Sequence, residues 1–226
     1  MKSTHEAPSP RATVKRGASR AQYSPREIKE ILDDGILAHV GVNTEHGPIV
    51  LPMAYGVRGD ELLIHGSVAN AMMRAGRDLD VCVTVTMVDA LVIARTPFHN
   101  SMNYRSVVVR GTATAIVDPD EKLAALKVIN DHIAPIWDTA RPPSHLDVKQ
   151  TLVLCLPLTE AVAKVRGEDP IDEDIDMDGP HWAGLVPLHT YWGEATTAAD
   201  LRSEAAVPDA VVALAGTDAH GPAAAS

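Results

Sequence analysis

Residues 89–111 read DALVIARTPFHNSMNYRSVVVRG, and their reading decides the fold. An apolar run at 91–94 gives way to a polar and aromatic interruption at 96–103. Tyr104, Arg105 and Ser106 then open a β-branched run. Branched side chains favour strands, where their restricted χ1 costs little and packs well. The interruption is too polar for a core and, with His99, Asn100 and Asn103 between Arg95 and Arg105, too rich in functional side chains for idle filler. Two strands flanking a functional loop are therefore expected.

Working upstream, residues 81–88 (VCVTVTMV) read as a buried strand. Shorter strands are expected at 36–43, 48–57 and 61–65, joined by turns of two to four residues. Such turns make an antiparallel meander, since parallel strands need long crossovers. Downstream, 104–117, 151–158 and 161–166 complete about seven strands, with Gly111 as an expected bend. Three short helices interleave them. Ser24 with Glu27 has capping-box spacing, Pro25 suits the first helical position and Gly35 ends that helix. Ser67 is a good N-cap for a second helix ending at Gly76, and Asp118-Pro119 opens a third over 121–132. The fold class read from this pattern is mainly β, an antiparallel β-barrel with short helices.

Composition narrows the function. The net charge of −10 opposes nucleic acid as a main partner, because neutralising phosphates needs a basic face. No apolar run approaches the roughly 20 residues of a membrane span. No apolar stretch follows the basic N-terminus as in a signal peptide, so a cytoplasmic protein is expected. Cys82 and Cys155 sit in apolar runs and read as buried, reduced thiols. No metal site is expected, as zinc-motif spacing is missing and the acidic stretch 166–178 lacks calcium-loop spacing. Residues 1–22 read as a flexible basic tail, 23–195 as the folded domain and 196–226 as a disordered Ala-rich tail.

Residues 89–111 resemble, without a gap, the motif DGLVLARSxFHxSxNYRSVVxxG of flavin-nucleotide-binding proteins in the pyridoxamine 5'-phosphate oxidase-like family. His39-Val40, Pro52 with Tyr55, His65-Gly66-Ser67, the helix start at 118–126, Lys164-Val165-Arg166 and Trp182-Ala183-Gly184 also match the family pattern. The resemblance implies an FMN-binding split barrel that dimerises with itself, with one FMN per subunit in clefts at the interface. It implies that Val50, Pro52 and Tyr55 lie along the flavin, and that His65, Gly66 and Ser67 face its phosphate side. Arg105 and Ser106 would contact the flavin from the neighbouring strand, and Trp182 and Trp192 would form a wall.

One departure stands out. Relatives commonly carry Ser-Arg at the start of the phosphate-side helix, and this chain has Asn70-Ala71-Met72. A missing guanidinium removes charged hydrogen bonds of about 1.5–3 kcal/mol each. Arg74, Arg77, Arg105 or a residue of the partner copy would have to compensate. Elsewhere, a strand ending in His-Gly-Ser and opening a helix offers free N–H groups to a phosphate. His99, in the interrupting loop, suits a general acid or a lid, while His39, amid an apolar strand, reads as a satisfied core group. Haem is the alternative cofactor, with His39, His65 or His99 as the imidazole and no reason in the sequence to choose.

The expected function is an FMN-dependent oxidoreductase acting on a small molecule that the sequence does not identify. Two alternatives stand beside it. One is a non-catalytic flavin or haem binder. The other is a diverged member that has lost FMN and does acid–base chemistry with His65, His99, Arg105 and the acidic stretch.

Overall fold

The structure is a computed structural model that describes residues 6–70, Met73, Asp78 and 80–220. Among the described residues the strands are β1 (Ala21–Gln22), β2 (Ala38–Thr44), β3 (Gly47–Met53), β4 (Tyr55–Arg58), β5 (Glu61–Ser67), β6 (Asp80–Ile93), β7 (Ser101–Thr112), β8 (Thr114–Ile116), β9 (Thr151–Pro157), β10 (Ala161–Arg166) and β11 (Gly184–Pro187). The helices are α1 (Pro25–Asp34), α2 (Pro119–Ile133), α3 (His145–Lys149), α4 (Asp174–Met177) and α5 (Asp209–Val212). Seven strands form one antiparallel sheet in the order β1-β10-β7-β6-β2-β3, with β11 on the far end of β6. Four form a second, β4-β5-β9-β8. The mainly β barrel expected from the sequence is the architecture observed.

Alternation along the strands explains the core. Val81, Val83, Val85 and Met87 of β6 point inward, as do Val107 and Val109 of β7 and Val40 and Val42 of β2. Leu62 and Ile64 of β5 and Leu154 and Leu156 of β9 meet them from the smaller sheet, and α1 closes one end with Ile28, Ile31 and Leu32. The reverse face of the smaller sheet packs Leu63, Val153 and Cys155 against Ala125 and Ile129 of α2. Burial pushes the Cys155 thiol up to about 12, with the Glu61 carboxylate adding to the shift. Cys82 is only half-buried, on the outer side of the large sheet.

Helix α2 lies so close to β4 that a Cβ on Gly56 would stand 2.9 Å from the Ile129 backbone. Gly56→Ala should therefore push α2 away and cost about 1–3 kcal/mol, an overpacking penalty readable by urea denaturation.

Several expectations change. Residues 80–93 form one strand rather than two, with a bulge between Val88 and Ala90 where Asp89 is the extra residue. The strand expected at 48–57 breaks at Ala54, where the chain crosses between sheets, and that at 104–117 breaks at Ala113. Ser24 makes no side-chain cap bond, although Pro25 does start α1. Asp118 does cap α2, accepting from Asp120 and Glu121. Of the helix expected from Ser67 to Gly76, Ser67 instead ends β5, residues 68–70 follow as a turn, and the remainder except Met73 lies outside the described residues, with Arg74 and Arg77.

Both terminal segments are packed more closely than their composition suggests. Arg11 pairs with Asp80 and Glu160, and β1 adds two residues to the large sheet at β10. At the other end, residues 216–220 return to Trp192 and Thr190. Gly216 donates to the Trp192 carbonyl and Ala219 to that of Thr190. Such backbone bonds hold a polar segment without a hydrophobic stripe.

Candidate functional site: the outer face of the large sheet

Residues directly opposite each other in an antiparallel ladder share a face. His39 pairs with Pro52 and Thr84, Gly41 with Val50 and Cys82, and Ser106 with Thr86. One continuous outer surface therefore carries Val50, Pro52, His39, Thr84 and Ser106. Val50 is 62% exposed, the apolar centre of an edge strand. Gly41 supplies an open step beside it: a Cβ there would reach the Val50 methyl at 3.7 Å. A cavity of about 300 Å³ is sunk into this surface, lined by Gly41, Pro48, Val50, Cys82, Asp80 and Arg110 among others. Ser106 donates its hydroxyl to the Lys164 carbonyl at 3.1 Å, which leaves its oxygen free to accept.

The surface sets apolar Val50 and Pro52 beside polar His39, Thr84 and Ser106, a combination that suits a heteroaromatic ring with hydrogen-bonding edges. His39 stands on it exposed. The expectation of a core histidine fails because β2 offers its odd-numbered residues to the outside.

Tyr55 is not on this surface. It is fully buried at the start of β4, and its hydroxyl lies 2.5 Å from the Leu32 carbonyl and 2.7 Å from that of Gly35. These are unpaired carbonyls at the end of α1, and the phenol caps them. Burial raises its pKa, so it stays a phenol. His132 completes the cap, donating from Nε2 to the Gly35 carbonyl at 2.8 Å, its ring 4.4 Å from that of Tyr55.

Arg105 also belongs to the interior. Alternation turns it inward while Ser106 turns out, so within the chain the two neighbours face opposite sides of the sheet. Arg105 is 6% exposed and finds its anions inside the chain. Asp34 lies 2.5 Å from Nη1 and Asp89 3.0 Å from Nη2, and the His220 carbonyl accepts at 3.3 Å. The β-bulge aims Asp89 at the guanidinium, the kind of redirection that bulges provide. Burial raises the Asp34 carboxyl, against the opposing pull of Arg105.

The His65-Gly66-Ser67 triplet divides by the same rule. Gly66 faces the core, where a Cβ would stand 2.9 Å from Met73 Cγ. Ser67 is exposed and accepts from the Ala69 N–H at 3.1 Å, and the Asn70 side chain accepts from Met73 at 3.3 Å. This Ser67–Asn70 turn keeps the geometry of a helix start. His65 points to the reverse face of the smaller sheet, opposite Val153, into a cavity of about 280 Å³ beneath α2. Among the described residues its Nδ1 has no hydrogen-bond partner, and it is buried.

Trp182 is 64% exposed and stacks its ring beside Gly184, whereas Trp192 is half-buried in the C-terminal return. His99 sits half-buried, its Nε2 3.9 Å from Glu173. The acidic stretch is clasped to the barrel: Asp172 accepts from the Arg95 N–H and Nη1, both at 2.9 Å. Sequence reasoning missed the Asp34–Arg105–Asp89 cluster and the His132 cap. No sequence signal marks either, because the partners lie far apart in the chain.

His65 and His132 are both held below the ordinary imidazole pKa by burial. In the unfolded chain they titrate near ~6.5, so below that pH the unfolded state takes up protons first. Their contribution to stability is full above about pH 6.5 and is lost as pH falls towards the depressed folded values. Urea midpoints at pH 5.5 and 7.5 should therefore differ less for His132→Gln than for the wild type.

Comparison with known proteins adds the following. The family model described as pyridoxamine 5'-phosphate oxidase matches residues 24–165. The flavocytochrome Anf3 from Azotobacter vinelandii is 33% identical, over 94% of this chain and 100% of that one, with a TM-score of 0.88. The FAD and heme binding protein from Mycobacterium smegmatis is 31% identical, over 89% of this chain and 99% of that one, with a TM-score of 0.83. No curated protein matches the chain.

Proposed function

The chain belongs to the pyridoxamine 5'-phosphate oxidase family, and from that premise we propose that it is a flavin-binding redox protein working as a homodimer. The flavin nucleotide, FMN by the motif at 89–111, lies on the outer face of the large sheet between two copies. The observation that carries this reading is the shared surface of Val50, Pro52, His39 and Ser106 around an open cavity. Edge strand β3 supports the second copy: Ile49, Val50 and Leu51 are all exposed, and native proteins seldom leave such an edge uncovered.

When bound, the flavin supplies the hydride and electron chemistry. The chain's own residues bind and orient it. Val50 and Pro52 would give an apolar floor, and Ser106 and His39 would offer polar groups to it. Arg110, in the lining of the cavity, would supply a cation to the phosphate tail.

Haem is a second group in the same protein. It is supported by the names of the flavocytochrome from Azotobacter and the FAD and heme binding protein from Mycobacterium. A cavity beneath α2, on the side of the barrel opposite the flavin face, is walled by Leu126, Ile129, Ile133 and Trp137 together with the polar Asn130 and Asp147.

Purified protein should be coloured, with a flavin absorption band and a flavin nucleotide released on denaturation. Mass spectrometry tells FMN from FAD. A colourless protein that ignores both added flavins contradicts the proposal. Val50→Asp should weaken flavin binding by at least about tenfold, or ~1.4 kcal/mol. Because Val50 is exposed in the single chain, that substitution should leave the thermal transition of the cofactor-free protein nearly unchanged.

A further inference from the structure

We infer that Arg11 sets the charge at the phosphate end of the proposed flavin surface, so that the site selects a phosphorylated flavin over riboflavin. The inference rests on the proposed flavin reading and adds the residue that makes Arg110 available to the phosphate.

Register sets the geometry. Val50 lies opposite Gly41, Gly41 opposite Cys82 and Cys82 opposite Arg110. They form one row across the outer face of the large sheet, with Arg110 at its end. Asp80 precedes Cys82 by two positions on the same face of β6, which makes it the diagonal neighbour of Arg110. A carboxylate so placed is the natural partner of that guanidinium. Were the two paired, a phosphate arriving there would meet a charge already cancelled.

The N-terminal segment prevents that pairing. Arg11 takes Asp80 for itself, with Nη1 2.5 Å and Nη2 3.3 Å from the two carboxylate oxygens, and its Nε donates to Glu160. Arg110 keeps a neutral partner: its Nη1 donates to the Arg11 carbonyl at 2.6 Å. Among the described residues no carboxylate pairs with Arg110. Arg11 therefore acts twice. Its side chain masks the acid, and its backbone holds the free cation at the cavity that Arg11, Asp80 and Arg110 line together with Val50. A phosphate monoester carries nearly two negative charges near pH 7, and an uncommitted guanidinium is a strong partner for it. Riboflavin has the same ring and no phosphate, so it gains nothing from the arrangement.

Arg11 is a positioning residue and not the anchor of its segment. Ala12 is 3% exposed, β1 pairs with β10, and Lys164 Nζ donates to the Arg16 carbonyl at 3.2 Å. Removing the Arg11 side chain should therefore leave the segment docked and Asp80 unmasked. Glu160 is freed too, but it lines a neighbouring cavity and not this one.

Fluorescence titrations of the cofactor-free, full-length protein with FMN and with riboflavin test this. Arg11→Ala should weaken FMN binding about five- to tenfold and leave riboflavin affinity within about twofold of wild type. Arg11→Lys, which keeps the charge, should lose less than about threefold. Arg11→Ala combined with Asp80→Asn should return FMN affinity to within about threefold of wild type, because the unmasked acid is gone. Equal losses for the two flavins in Arg11→Ala, as a purely structural tie would give, overturn the inference and leave the flavin reading standing. So do wild-type FMN affinity in that variant and a double variant that recovers nothing. A wild type that binds neither flavin overturns the flavin reading and this inference with it.

Discussion

Arg105→Met is expected to lower folding stability by about 3–5 kcal/mol and to leave flavin affinity within about threefold of wild type per folded chain. The reason is the cluster in which Arg105 sits. Its side chain is 7% exposed, and its charge answers Asp89, 16% exposed, and Asp34, 32% exposed. Methionine fills the volume but leaves two carboxylates facing each other in a partly desolvated space. Breaking a buried pair from one side costs far more than the net worth of the pair, because the remaining charge has no partner. The same cluster joins four parts of the chain: the end of α1, the bulge of β6, strand β7 and, through the His220 carbonyl, the C-terminal return. Thermal melts and urea curves measure the loss. A variant as stable as wild type that had lost its flavin would return Arg105 to the cofactor site.

Tyr55→Ala is the second large effect, about 3–5 kcal/mol from the lost aromatic packing alone. Two further penalties follow from its position. The Leu32 and Gly35 carbonyls lose their shared donor, and His132 loses the ring against which it leans. Tyr55→Phe separates the contributions: it keeps the ring and should cost about 1–2 kcal/mol for the Leu32 carbonyl, since His132 still donates to that of Gly35. Guanidinium denaturation of both variants reads the difference. If Tyr55→Phe were neutral for stability but impaired flavin binding, the assignment of Tyr55 to the core would be wrong.

These two residues show where sequence reading reaches and where it stops. The motif at 89–111 gave the hairpin, and alternation in 81–88 gave a buried strand, because both depend on neighbours one or two residues apart. The direction in which Arg105 points follows from the same alternation, yet its partners do not. Asp34 is 71 residues away and Asp89 reaches it only through a bulge. A family resemblance treated Arg105-Ser106 and His65-Gly66-Ser67 as units, whereas a strand sends consecutive side chains to opposite faces. Within one chain Ser106 and Val50 therefore share a surface, and His65 leaves it for the cavity beneath α2. The terminal segments were legible in composition as polar and Ala-rich, but backbone pairing such as Gly216 to Trp192 carries no compositional mark.

The Asn70-Ala71-Met72 departure bears on how firmly the proposed flavin is held. The Ser67 hydroxyl and Asn70 side chain are engaged in their own turn, so the phosphate tail has fewer charged donors on this chain than a Ser-Arg start provides. A weaker flavin complex, in which the second copy supplies part of the grip, is the expected consequence.

Sedimentation velocity of the flavin-loaded protein, followed through the visible absorption of the flavin, tests that shared grip most directly. The account predicts that the colour travels with a species of twice the 24.1 kDa chain mass. Colour that sediments with the single chain, or that stays behind with the free nucleotide while the chains sediment without it, would contradict it.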